Sequence, residues 1–303
     1  MNPPSSTSDF DSGSSENGIL LLDKPAGITS NGALGRAKRL LGLRKAGHTG
    51  ALDPMATGLL PLCFGQATKV SAFLLDADKR YWAEIALGAE TDSGDAEGSV
   101  TQTRPVEHYD PETIESTLAR FRGPIDQVPP MYSALKHQGK RLHELARAGI
   151  EVERKPRSVV IHSLELLDRA PDRLCVRVHC SKGTYIRSLA VDIGRALGCG
   201  AHLTGLRREG SGPFALSDAV TLQALEAMDR SEARSLLLPA DAALPGWSRI
   251  EVSPEAAADI RHGRPVDIDR GPDEYVRIYT AERFLGLGEI DSAGVLRVRR
   301  LFV

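Results

Sequence analysis

The chain is predicted to be an α+β protein built on a mixed, largely antiparallel sheet, with a small β-rich unit at its C-terminal end. Three observations carry this. Strand-like and helix-like segments mix over the first 215 or so residues without the regular alternation that a parallel βαβ sheet requires. Two long strand-like segments, RSVVIHSLELLDR and DRLCVRVHCSKG, follow each other with only a short turn near Pro171 between them. Composition then shifts at LLLPADAALPGW, residues 236–247, a Pro-flanked joint beyond which short strands dominate.

The first folded segment is GILLLDKPAG, Gly18 to Gly27, where an apolar run closed by Asp-Lys-Pro predicts a strand and then a turn. In TSNGALGRAKRLLG, Thr29 or Ser30 can cap a helix. One face of it gathers Ala33, Leu34, Ala37, Leu40 and Leu41, and Gly42 can end it. LLPLCFG predicts a buried strand, QATKVSAFLLDAD a helix and KRYWAEIALG a long strand; helices are expected over 111–121 and 139–148. After the two paired strands, TYIRSLAVDIGRALG spaces Ile186, Leu189, Ala190, Ile193 and Leu197 helically before Gly198, and AHLTGLRREGSGPF is strand-like. Beyond the joint come a short helix, SPEAAADIRHG, and strands ending in GVLRVRRLFV.

A length of 303 residues suits one large domain or two unequal ones. The formal charge of −2 gives no bulk sign of a polyanionic partner, so any such site must rest on local clusters. Cys63, Cys175, Cys180 and Cys199 form no Cys-x-x-Cys pair; they are read as reduced, packed thiols of a cytoplasmic protein, and no metal site is expected. No run approaches the roughly 18 apolar residues of a membrane helix, so no membrane association is expected. Residues 1–17, Ser-rich and acidic, are expected to be a disordered tail and not a targeting signal.

The segment GHTGALDPMATGLLP singles out Asp53. An Asp-Pro step ordinarily starts a turn or caps a helix. Here Gly47, Gly50 and Gly58 permit close approach of backbone or ligand, and Pro54 stiffens the chain directly after the acid. A carboxylate held this way can serve as nucleophile or general base. Just before it, RAKRLLGLRK carries five positive charges and no acid. Further basic groups recur at Lys136, Lys140 and Arg141, at Arg154, Lys155 and Arg157, at Arg207 and Arg208, and at Arg297, Arg299 and Arg300. Each alone is an ordinary solvated face; together they suit a surface that neutralises phosphates. His48 has no metal-ligand partner at usable spacing. Tyr81 is by default a cross-strand aromatic, and Arg187, among apolar neighbours, calls for a carboxylate partner. KPAG and SKGT lack the spacing of a nucleotide phosphate loop.

Five segments together resemble one family. GILLLDKPAGITS, GHTGALDPMATGLLPLCFGQATK, KRYWAEIALGAETDSGDAEG, QVPPMYSALKHQGKRLHELAR and CSKGTYIRSLAVDIGRALGCGAHLTGLRR are similar, in order, to motifs of the bacterial tRNA pseudouridine-55 synthase (TruB-type) family. The resemblance implies a pseudouridine synthase catalytic domain over 18–240 and a PUA-like RNA-binding β-barrel over 247–303. It implies an isomerase, free of cofactor and metal, that flips out a uridine of the tRNA T-arm loop and converts it to pseudouridine. By position, Asp53 is the catalytic aspartate and Arg187 its ion-pair partner. Tyr81 is the tyrosine that stacks on the base and takes the C5 proton. His48 helps hold the flipped nucleotides, Lys24 and Leu206 are pocket positions, and Arg207 and Arg208 face phosphates. A monomer acting without an obligatory protein partner, and without DNA, is expected. Two departures stand out. His143 occupies a position where tyrosine is usual, and Ser93 one where threonine is common; local packing or loop effects are expected at both.

Three other functions are compatible with parts of the chain. An RNA chaperone needs the basic surface but not Asp53. A guide-dependent isomerase fails on a bare tRNA transcript. A carboxylate glycosidase releases free uracil.

Overall fold

A computed structural model describes residues 17–133 and 135–302. The expected tail lies outside the described residues except for Asn17, whose side-chain oxygen accepts a hydrogen bond from the Gln66 N–H at 2.7 Å.

Ten strands form one large sheet. Its main path runs Val220–Thr221, Gly18–Lys24, Thr57–Phe64, Ala201–Ser211, Lys79–Leu87, Arg173–Cys180, Arg157–Ala170 and Gly123–Gln127. Parallel pairing occurs between Gly18–Lys24 and Val220–Thr221 and between Thr57–Phe64 and Ala201–Ser211; the other pairings are antiparallel. The sheet is thus mixed and largely antiparallel, as the segment order predicts. Near its Gly18–Lys24 edge both faces are buried. Leu20 and Leu22 join the main core with Leu60 and Leu62, while Ile19 and Leu21 join a second cluster with Leu59 and Cys63. Side chains alternate across a strand, so burial on both faces requires the unbroken apolar runs seen in the sequence.

The helix Ser30–Leu41 is capped by Thr29, whose hydroxyl accepts from the Gly32 N–H, and ends at Gly42 in the left-handed region. The helix Ile186–Leu197 buries Ile186, Leu189, Ala190 and Ile193, and Gly198 ends it in the same way. The helix expected over 66–78 divides into a 3₁₀ stretch, Gly65–Val70, and a short α-helix, Ser71–Asp76. Ala67 and Val70, three apart, are the residues buried there, which suits three residues per turn. The helix expected over 139–148 is shortened to Leu142–Arg147. Ahead of it a hairpin, Lys136–His137 with Lys140–Arg141, turns through Gln138 and Gly139, both at positive φ. His143 lies in the shortened helix.

A second sheet of five strands spans Ser248–Leu301 and carries the helix Pro254–Arg261. It is docked on the large sheet. Leu287 packs in one cluster with Ala243, Leu244, Ile19 and Leu59, and Phe73 meets Trp247 edge-on at 4.9 Å. All four cysteines are buried and free; burial pushes Cys63 up to about 11 and Cys180 up to about 12, which leaves inert thiols.

Candidate active site

Four adjacent strands lay Lys24, Gly58, Arg208 and Tyr81 in one row across the sheet. Lys24 pairs with Gly58, Gly58 with Arg208, and Arg208 with Tyr81. Gly58 has φ +101°, and a Cβ there would lie 2.4 Å from the Arg208 carbonyl oxygen. Only glycine permits this approach of the two parallel strands.

The loop that enters this row carries Asp53, and its backbone is pinned on both sides of the acid. The Ser30 hydroxyl accepts from the Leu52 N–H at 2.7 Å and donates to the Leu52 carbonyl at 3.1 Å. The Pro54 carbonyl accepts from the Gly27 N–H at 2.8 Å and from Lys24 Nζ at 3.3 Å. The Asp53 carbonyl accepts from the Ala56 N–H at 3.1 Å. The stiff sequence therefore fixes the backbone and leaves the carboxylate for other work.

That carboxylate meets Arg187. Asp53 Oδ2 lies 3.0 Å from Arg187 Nε, with the arginine side chain 5% exposed and the aspartate side chain 40% exposed. The remaining guanidinium donors are also engaged: Nη1 reaches the Ser93 carbonyl at 3.1 Å and Asp95 Oδ2 at 3.3 Å, and Nη2 the Tyr132 carbonyl at 2.7 Å. A buried arginine so fully satisfied holds a fixed orientation. Burial pushes the Asp53 carboxyl above its ordinary value, Arg187 opposes this, and Asp95 adds to it.

Asp95 was not anticipated. It is 3% exposed and accepts from the Ser93 hydroxyl at 2.6 Å and from the Glu97 N–H at 3.1 Å. Ser93 thus belongs to the network around Arg187, beyond the local loop effect expected for it. The signal lay in TDSGD, a small polar loop whose Gly94 adopts φ +74° and whose Cβ position faces Arg187.

Lys24 is fully buried and also donates to the Pro25 and Ile28 carbonyls, each at 2.8 Å. Burial draws its ammonium down to about 8, with Asp53 and Glu97 opposing. It clamps the Asp53 loop from beneath. Tyr81 is 9% exposed; burial raises its phenol above the ordinary value, with Arg208 beside it opposing. His48 sits on the short strand Ala46–His48 opposite Leu62. Burial, and then Arg208, lower its imidazole, and its Nδ1 is buried without a hydrogen-bond partner among the described residues.

Arg208 differs from the expectation that it faces phosphates. Arg208 is 1% exposed, with Nε on the Leu59 carbonyl at 2.7 Å and Nη2 on the Gly50 carbonyl at 3.1 Å. It braces the Asp53 loop from inside the protein and does not present itself to a phosphate. Its Nε and Nη2 are committed inward by the Leu59 and Gly50 carbonyls, which lie on the strand and loop that flank Gly58. Arg207 pairs with Asp23 at 2.6 Å and donates to Thr57 Oγ1 at 3.2 Å. It lines a cavity of about 320 Å³ together with Asp23, Arg36, Thr57 and Glu226. Leu206 packs in the main core, and its carbonyl accepts from the Thr57 hydroxyl at 3.4 Å.

Of the C-terminal arginines, Arg297 and Arg299 are paired with Asp291 and Glu289. Arg300 donates to the Lys69 carbonyl. Lys69 in turn is lowered by burial, by Lys45 and by Arg300, which places three cations together where the two sheets meet. Lys38, Arg39, Arg44 and Lys45 have no ion-pair partner among the described residues. No helix among the described residues is long and apolar enough to cross a membrane.

The chain matches the model of the "TruB family pseudouridylate synthase (N terminal domain)" over residues 38–186. It also matches the "tRNA pseudouridylate synthase B C-terminal domain" over 187–245 and "Pseudouridine synthase II TruB, C-terminal" over 248–302. It is 57% identical over 284 residues to a "tRNA pseudouridine synthase B" of Aromatoleum aromaticum, covering 94% of this chain and 92% of that one. A protein of the same name from Vibrio cholerae is 49% identical over 299 residues, covering 94% and 96%. Among solved structures it resembles a chain of "Crystal Structure of a Cbf5-Nop10-Gar1 Complex", with TM-score 0.71 and 27% identity over 96% of this chain and 86% of that one. It also resembles a chain of "Structure of H/ACA RNP bound to a substrate RNA containing 2'-deoxyuridine", with TM-score 0.69, 26% identity, and 94% and 85% covered.

Proposed function

Given that the chain belongs to the TruB family of pseudouridylate synthases and is an isomerase, we propose that its substrate is the uridine at position 55 in the T-arm loop of tRNA. The uridine is flipped out of the loop and laid against the exposed side of the Asp53 carboxylate. The observation that carries this reading is the Asp53–Arg187 pair: one carboxylate, partly exposed, on a backbone hydrogen-bonded on both sides, oriented by a buried guanidinium.

The chemistry follows from that placement. Asp53 acts at ribose C1′ as the C1′–N1 bond breaks and the uracil leaves with the electron pair. The uracil turns, C5 bonds to C1′, and the C5 proton must then be removed. Tyr81 is assigned this step. Its raised phenol is neutral in the free protein, so it must pass its own proton to water as it accepts the one from C5, while N1, freed from C1′, takes a proton from water in exchange. The neighbouring Arg208 favours the phenolate that this transfer passes through. No atom is gained or lost in the whole reaction, which suits a site that needs no co-reactant.

His48, held neutral by burial and by Arg208, is the imidazole we assign to holding the flipped nucleotides. The unpaired cations Arg44 and Lys45, continued by Lys69 and Arg300, form a basic surface running from the catalytic body onto the C-terminal sheet. We assign it to the tRNA phosphates. On this reading the catalytic domain spans 18–240, the RNA-binding unit spans 247–303, and the monomer acts in the cytoplasm without a protein partner.

The test is tritium release. A tRNA transcript labelled at uridine C5 is incubated with purified protein alone, beside Asp53→Ala. Release by the unaltered protein only, without free uracil, supports the reading. No release from the folded transcript overturns it in favour of a chaperone or a guide-dependent enzyme.

A further inference from the structure

We propose that Asp78, His162 and His179 form a binding site for one divalent transition-metal ion of the zinc class, apart from the Asp53–Arg187 site and separate from the isomerisation. The three residues come from three neighbouring segments: the turn ahead of the Lys79–Leu87 strand, the Arg157–Ala170 strand and the Arg173–Cys180 strand. Asp78 Oδ2 lies 3.2 Å from His162 Nε2 and 3.8 Å from His179 Nε2, and the three candidate ligand atoms all fall within 4.8 Å of one another. Tetrahedral zinc with bonds of about 2.0–2.1 Å sets its ligand atoms roughly 3.3 Å apart. The two aspartate–histidine spacings bracket that value, and with all three atoms within 4.8 Å of one another a rotation of the imidazoles closes the set.

The backbone is built to bring the pair of histidines together. Register runs Ile161 with Cys180 and then Ser163 with His179, so His162 is the extra residue of a β-bulge. A bulge re-aims the side chain it carries, and here the two imidazole rings stand 4.8 Å apart, centre to centre. Asp78 is held in turn, its carbonyl accepting from the Gly212 N–H at 2.9 Å. Arg80, opposite His179 in register, packs its guanidinium over Gly210 on the other neighbouring strand and leaves the histidine side clear.

Two imidazoles and one carboxylate are a donor set suited to zinc, with a fourth position open to solvent. Both Nε2 atoms face the same oxygen. Without a metal each can serve that oxygen only as an N–H donor; a metal ion takes the place of those protons and is held by both nitrogen lone pairs at once. The side chains are 37% exposed at each histidine and 47% at Asp78, so the ion has a path in and substitutions there leave the core intact.

The full chain, free of any tag and stripped with chelator, is titrated with Zn2+ by calorimetry and with Co2+ by visible absorption. The expected result is one Zn2+ per chain, a Co2+ d–d band of low-coordinate type, and a rise in Tm with Zn2+. The doubly substituted His162→Ala, His179→Ala protein should bind neither ion and show no rise, while its Tm in chelator matches the parent. Asp78→Asn should bind roughly tenfold or more weakly. No uptake by the unaltered chain at micromolar Zn2+, or uptake unchanged in the double variant, overturns the site.

Discussion

Arg187 Nε stands 3.0 Å from Asp53 Oδ2, and the same guanidinium also reaches Asp95 at 3.3 Å. One buried cation therefore serves two carboxylates. Its pull on Asp53 opposes burial and the second acid, and its anchoring fixes where the Asp53 carboxylate points.

Asp53→Asn should abolish turnover, by on the order of 10³-fold or more, while tRNA affinity stays within a few-fold. Stability should not fall. Burial raises the carboxyl in the folded state, so the ionised form is a cost to folding at neutral pH that the amide removes. Single-turnover tritium release, filter binding and Tm test the three parts. A large loss of affinity would assign Asp53 a structural role instead.

The acid limb of the rate profile should reflect Asp53. On the proposed mechanism the carboxylate form is the active one, and its protonation is displaced upward, so activity should fall at a higher pH than an ordinary aspartate gives. Arg187→Met removes the opposing charge and should move that limb further up. A limb that stays in place when Arg187 is replaced would separate the profile from Asp53.

Tyr81→Phe should bind tRNA normally and stall before the C5 proton leaves, since Arg208 retains its hydrogen bonds to the Leu59 and Gly50 carbonyls. Full tritium release with phenylalanine would remove the tyrosine from proton transfer.

Gly58→Ala should destabilise by at least about 1–3 kcal/mol, the range for a strained backbone residue, because a steric clash adds to the strain. Gly27→Ala is the control: it has φ +82° but nothing within 4 Å of its added Cβ. Chemical denaturation compares them; equal losses would show that left-handed strain alone accounts for Gly58.

Replacing Lys45 and Lys69 with glutamine should weaken binding of any tRNA. The slope of log K against log salt should become shallower by roughly 0.7–0.9 for each phosphate that is no longer neutralised. An unchanged slope would place the tRNA backbone elsewhere on the surface. Truncating the second sheet is a poorer probe, because it uncovers Ile19 and Leu59.

Local chemistry made much of this molecule legible. Thr29, Gly42 and Gly198 punctuate helices where capping rules place them, and the alternating or continuous apolar runs mark the main strands. Motif positions brought Asp53, Arg187, Tyr81, Lys24 and His48 into one neighbourhood. The misses are tertiary. Nothing local says that Arg208 turns inward, since that depends on Gly58 lying opposite it across a parallel pairing. Asp95 was hidden because its importance comes from Arg187, far along the chain. Short strands such as Ala46–His48 and Val220–Thr221 exist only because a partner edge awaits them.

The place of Ala201–Ser211 between Thr57–Phe64 and Lys79–Leu87 has a consequence for synthesis. The strand that joins the two halves of the large sheet is made well after both of its neighbours. At roughly 5–20 residues per second, ribosomes leave a wait on the order of ten seconds in which those neighbours present open edges. During that interval the strand that carries Tyr81 and the strand that follows Asp53 lack the one that pairs with both. The arrival of one late strand welds them into a single body, so a nascent chain brings Asp53 and Tyr81 together only when its sheet is closed.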